Sequence, residues 1–170
     1  MKREWVILVY KIPSQPTRLR AQIWRHLQRV GALYLQDSVS IVPATSELAE
    51  NMQWIADEIQ ELGGEAYLFR ATTTTPPHEE QIVGRFAEAS RTEAERLREM
   101  LGALEQRLGS AASPEDLVAR EDELRRIRQA ALKLRRRSHF PIREEETLQR
   151  RVRAVHDRLD RLVLRATRRR

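Results

Sequence analysis

The first apolar run, WVILVYKI from Trp5, is nearly continuous, of strand length and rich in β-branched residues, the pattern of a strand buried on both faces and central in its sheet. From Thr17 the period changes: Leu19, Ile23, Leu27 and Val30 recur at helical steps, and Gly31 follows as the stop. ALYLQ and SVSIVP are two short strand-like pieces around Gln36-Asp37 that predict a hairpin, although its turn lacks a glycine. Thr45 or Ser46 can cap a second helix, whose apolar face is Leu48, Met52, Ile55, Ile59 and Leu62 and whose end is Gly63-Gly64. EAYLFRA gives a fourth strand, and TTTTPP continues neither element.

Beyond this breaker the strand signals cease. Ile82, Phe86, Leu97, Leu101, Leu104 and Leu108 mark a long helix ended by Gly109 and the loop GSAASP. Ser113 is a good N-cap, with Pro114 at the first helical position and Glu115-Asp116 in the first turn. Leu117, Leu124, Ile127, Ala131 and Leu134 then form a heptad-like stripe in which Arg120 fills one apolar slot. SHFPIR breaks it, and a last helix carries Leu148, Val152, Val155, Leu159, Leu162 and Ala166 in four-three alternation. The predicted class is α+β: a ferredoxin-like β-α-β-β-α-β domain over residues 1–75, with two helices on one face of a four-stranded antiparallel sheet, then a three-helix α-helical domain over 76–170. The other face of the sheet is left open for something to cover it.

Charge adds a partner class. The net charge is +6, and only Lys2, Lys11 and Lys133 among the 31 basic residues are lysines. Residues 1–75 carry eight basic and eight acidic side chains, 76–137 thirteen and twelve, and 138–170 ten and five, so the surplus lies in the last segment. A surplus confined to one module suits nucleic-acid binding. Arginine interleaved with glutamate on long helices also makes solvated i,i+4 pairs, which is the plainer reading. With no cysteine there is no disulfide framework and no thiolate chemistry. MKREW lacks the apolar core of a signal peptide and no window has the length of a spanning helix, so the expected location is cytoplasmic, away from any membrane.

No catalytic constellation emerges. His26, His78, His139 and His156 are dispersed, there is no phosphate-binding glycine loop and no G-x-S-x-G, and the acidic pairs sit among arginines. The expectation is a non-enzyme with no catalytic residue, cofactor or metal ligand. Arg18, Arg25 and Arg29, at spacings of seven and four, share a face of the first helix away from Leu19, Ile23 and Leu27 and could track a phosphate backbone. A denser group, Arg128, Lys133, Arg135, Arg136 and Arg137, lies near the end of the fourth helix, where cations also complement the helix dipole. These eight are the candidate nucleic-acid contacts. Arg165 and Arg168 to Arg170 read as an unstructured tail, and Trp5 and Trp24 as packed side chains rather than base-stacking ones.

The strings WVILVYKIPSQPTRLRAQIWRHLQRVGALYLQDSVSIVPAT and WIADEIQELGGEAYLFRA resemble the N-terminal domain of the ChrB family of bacterial chromate-resistance regulators. The likeness continues through FAEASRTEAERL and AREDELRRIRQAALKLRRRSHF into the last helix. It implies a DNA-binding, chromate-responsive transcriptional regulator in which this region precedes a second domain. The second domain is absent before Arg170, so the expectation is a stand-alone relative or a separately encoded half. The first half also looks like the small ferredoxin-like CRISPR adaptation subunit and the central domain of the phenylacetate repressor PaaX. In the adaptation subunit an aromatic residue and an acid of a divalent-metal site end the first strand; Tyr10 and Lys11 stand there here, and an ammonium repels such an ion.

The resulting expectation is a regulatory homodimer on the DNA phosphate backbone. One alternative is an interaction module for a separately encoded ChrB C-terminal-type domain. A metal-dependent nuclease is the remote alternative.

Overall fold

A computed structural model describes residues 3–109 and 113–167. Its elements are β1 (Glu4–Lys11), α1 (Thr17–Arg29), β2 (Leu33–Gln36), β3 (Val39–Pro43), α2 (Ser46–Glu61), β4 (Glu65–Thr72), α3 (Pro76–Leu108), α4 (Pro114–Arg137) and α5 (Arg143–Thr167). The chain separates into two compact units, Met1–Phe86 and Ala87–Arg170, so the first turns of α3 group with the sheet.

The sheet order is β2-β3-β1-β4, antiparallel throughout, which is the split βαβ topology the element order predicts. β1 is central, with Val6 and Leu8 on the face that carries the helices. That core is closed by Ile23 and Leu27 of α1 and by Met52, Ile55 and Ile59 of α2. The other face is covered in part. Trp5 is buried against Phe86 of α3, their rings stacked at 5.9 Å, but Val9 is 36% exposed, so burial of β1 on both faces holds at its start and fails at its end.

Local chemistry sets the boundaries. Thr45, rather than Ser46, caps α2: its hydroxyl accepts from the Leu48 N–H. Gly63, at φ +80, turns the chain out of α2 in a conformation that disfavours other residues. In the hairpin without glycine the positive φ falls on Ser38.

In the second unit Leu97, Leu101, Leu104 and Leu108 of α3, Leu124, Ile127 and Leu134 of α4, and Leu148, Val152, Val155 and Leu159 of α5 form one core. Ser113 and Asp116 close a reciprocal capping box at the start of α4. Arg120 keeps its slot in the stripe half-buried, and its Nη1 is buried without a hydrogen-bond partner. Residues 110–112 of the GSAASP loop and the tail arginines 168–170 lie outside the described residues. Among the described residues no helix is long and apolar enough to cross a membrane.

Candidate nucleic-acid interface

The rotation of α1 fixes what its arginines can do. Ile23 and Leu27 are fully buried, and beside them Gln22 Nε2 donates to Glu58 Oε1 at 2.6 Å. His26 Nδ1 lies 2.7 Å from Glu58 Oε2; a carboxylate only accepts, so Nδ1 carries the hydrogen. One carboxylate of α2 thus holds two adjacent positions of α1, and the His26 ring also meets Trp54 at 5.1 Å. With α1 pinned in this way, Arg18, Arg25 and Arg29 are all exposed on the side predicted by their spacing. None of the three makes an ion pair among the described residues.

Several arginines of the long helices are paired instead. Arg91 pairs with Glu88 and Glu144, Arg98 with Glu95, Arg107 with Glu123, Arg125 with Asp122 and Arg151 with Glu105. The hydrogen bonds that Arg91 donates to Glu88 and then to Glu144 raise its pKa, and the Arg98 fork holds the exposed Glu95 below the usual carboxylate range. The pairs within one helix of α3 and α4 are spaced i,i+3, and the others join two helices, so the simple i,i+4 expectation misses most of them.

The α4 group does not form a single face. Arg128 and Arg135 lie one heptad apart and exposed; Lys133 and Arg136 are exposed at other positions around the helix. Arg137 is drawn in, 3.6 Å from Glu93 of α3 and 30% exposed at its side chain. Arg135 instead joins two residues that sequence reading passed over, Arg150 and Arg153 of α5, along a cleft of about 470 Å³ that also holds Glu145 and Glu146. Glu145 is only 4% exposed. A helix break and two turns of α5 separate Arg135 from Arg150 and Arg153 in the sequence, so only the α4–α5 packing reveals them together.

A residue-matched family model, "Protein ChrB, N-terminal", covers residues 20–168. The chain belongs to the ChrB N-terminal family. No curated protein and no solved structure matches it. ChrB membership makes this a chromate-resistance-associated protein, and the match runs from within α1 through the rest of the sheet unit and all three long helices.

Two further residues of this ChrB domain are placed by the structure alone. Lys11 ends β1 opposite Glu65 of β4 and, with Tyr10 and Tyr34, lines an open cleft beneath α1. Trp24, expected to be packed, is 54% exposed at the same cleft: it falls next to the apolar stripe of α1 but is rotated off its edge. Trp5 is buried as expected.

Proposed function

We propose that this chain is a non-enzymatic regulatory protein of chromate resistance that binds DNA through arginines on the phosphate backbone. The observation that carries the reading is that Arg18, Arg25 and Arg29 share one exposed face of a single helix and make no ion pair among the described residues, whereas Arg91, Arg98, Arg107, Arg125 and Arg151 of the long helices are held by carboxylates. At a rise of 1.5 Å per residue, Arg18 and Arg29 are about 16 Å apart along α1, a span of roughly five phosphates at 3.4 Å each. Guanidinium forks suit phosphate oxygens and carry no sequence information by themselves.

The test is fluorescence anisotropy on DNA from immediately upstream of its own gene, at about 50 and 200 mM salt. Each phosphate contact contributes about 0.9 to the log-log salt slope, so replacing Arg18, Arg25 and Arg29 with Ala should flatten it by about 2.7. No binding at the lower salt, or a slope untouched by the triple substitution, overturns the reading.

The edge of the sheet supports a homodimer. Tyr10 N–H donates to Ser38 O and Ala44 N–H to Glu4 O, so the even residues of β1 bond toward β3. In an antiparallel ladder their partners on β4, Ala66, Leu68, Arg70 and Thr72, then turn their backbone groups to the free edge, where Gln60 Nε2 reaches only Ala66 O. This long edge has no proline, lysine or bulge to blunt it, and Tyr67 and Phe69 beside it are 57% and 53% exposed. Pairing of β4 with a second copy about Leu68 sets Tyr67 opposite the partner's Phe69 on both sides of the two-fold. The wild-type chain should sediment as a dimer and Phe69→Glu as a monomer. A wild-type monomer that dimerises at no concentration up to about 100 μM refutes this and favours the separately encoded ChrB C-terminal-type domain as the occupant.

A further inference from the structure

The carboxyl end of β1, the first turns of α1 and the β2–β3 turn enclose an open cleft of about 730 Å³, whose chemistry is set by Tyr10, Lys11, Arg20, Trp24, Tyr34 and Asp37. Lys11 and Arg20 make no ion pair among the described residues, and Asp37 is the single carboxylate in the lining, so the cleft favours an anion. Trp24 presents more than half of its surface to water although α1 buries Ile23 and Leu27 completely. An indole left in solvent beside two unpaired cations is suited to a ligand with both a flat π-face and a negative charge.

Tyr34 supplies a donor. Its hydroxyl lies 3.4 Å from that of Tyr10, a long contact, and can turn its hydrogen to a ligand. Burial, helped by the contact with Tyr10, raises its pKa above the ordinary phenol value, so the hydrogen is kept throughout the working pH range. Arg20 and Trp24 are four residues apart and lie on a different side of α1 from Arg18, Arg25 and Arg29.

We propose that this cleft binds one nucleotide of a single-stranded nucleic acid, with the base stacked on Trp24 and its phosphate held by Lys11 and Arg20. The Tyr34 hydroxyl donates to the same phosphate or to the sugar. A base within a duplex is stacked on its neighbours and does not offer its face to an indole, whereas an unpaired one does. The inference stands apart from duplex binding by the α1 arginine stripe, and either can fail alone.

The experiment uses the full chain carrying Trp54→Phe, in which Trp24 is the exposed indole and Trp5 remains buried. Fluorescence is titrated with a single-stranded oligothymidylate of about eight nucleotides, with a duplex of equal length and with inorganic phosphate, at about 50 mM salt. Saturable quenching by the single strand is expected, with neither the duplex nor phosphate reproducing it. Lys11→Ala and Arg20→Ala should each weaken it several-fold. Trp24→Ala should weaken binding of a labelled strand by roughly 5- to 100-fold, and Trp24→Phe should restore most of it by keeping a stacking face. Absence of quenching, equal quenching by the duplex, or a curve indifferent to Arg20→Ala overturns the proposal.

Discussion

Replacing Gly64 with alanine tests how closely α2 and β4 approach the end of β1. A Cβ at Gly64 would lie 2.5 Å from the Lys11 carbonyl oxygen, 2.8 Å from Ile59 Cγ2 and 3.0 Å from the Ile59 carbonyl oxygen. Two of these neighbours are backbone, and the Gly64 N–H already donates to Ile59 O, so relief requires moving β1 or the end of α2. Overpacking of this kind costs about 1–3 kcal/mol, and the entropy removed from the unfolded chain offsets about 0.4–1. The net expectation is a loss of about 1–2 kcal/mol. Two other glycines serve as controls. Gly63 has open space around it but a φ of +80, so alanine there should be destabilising by about 0.5–1 kcal/mol through backbone strain alone. Gly84 lies within α3 with nothing near its Cβ position, and alanine should stabilise the helix by up to about 1 kcal/mol. Trp5, Trp24 and Trp54 all belong to the first unit, so tryptophan fluorescence in a urea titration reads that unit while far-UV circular dichroism follows both. A Gly64→Ala variant as stable as the parent, or less affected than Gly63→Ala, would refute the close approach.

Three further outcomes follow from features of the fold. Ser113→Ala should lower the stability of the helical unit by about 1 kcal/mol, read from its thermal melt, because the Asp116 N–H loses its side-chain acceptor. Tyr34 has its folded pKa raised by burial and by Tyr10, so it contributes stability that is whole below the unfolded value of about 10 and declines as the pH rises through the folded one. Absorbance at 295 nm should show one phenol ionising only with alkaline unfolding, and Tyr34→Phe should remove that delayed step. Arg120→Met should raise the urea midpoint of the helical unit by the equivalent of about 1 kcal/mol, since it removes a buried donor that has no acceptor.

Much of the architecture was legible because apolar period and stop signals agree. Leu48 to Leu62 recur at helical spacing up to Gly63, and Val6 and Leu8 belong to one continuous apolar run, so α2 and β1 fall where the pattern puts them. The hairpin was legible in position, whereas its positive φ at Ser38 carries no glycine to announce it. Exposure of Trp24 was not legible: a residue adjacent to a stripe can rotate either way, and here the clasp of Gln22 and His26 on Glu58 decides it. The arginine stripe of α1 could be read from one helix period. The meeting of Arg135 with Arg150 and Arg153, and the withdrawal of Arg137 to Glu93, depend on which helices pack together, which no local spacing encodes.

Arg120 bears on how the three long helices find their alignment. A stripe that repeats every seven residues fits its neighbours in more than one setting: sliding α4 by two turns carries Leu117 into the place of Leu124 and Ile127 into that of Leu134. The same slide carries Arg120 into the place of Ile127, which has no exposed surface at all. In the native setting the guanidinium is half-buried with one nitrogen unsatisfied; in the slipped one it would be a wholly enclosed charge. The side chain that weakens the correct seam penalises the wrong one far more, and that difference gives an otherwise repetitive helix a single place to stop.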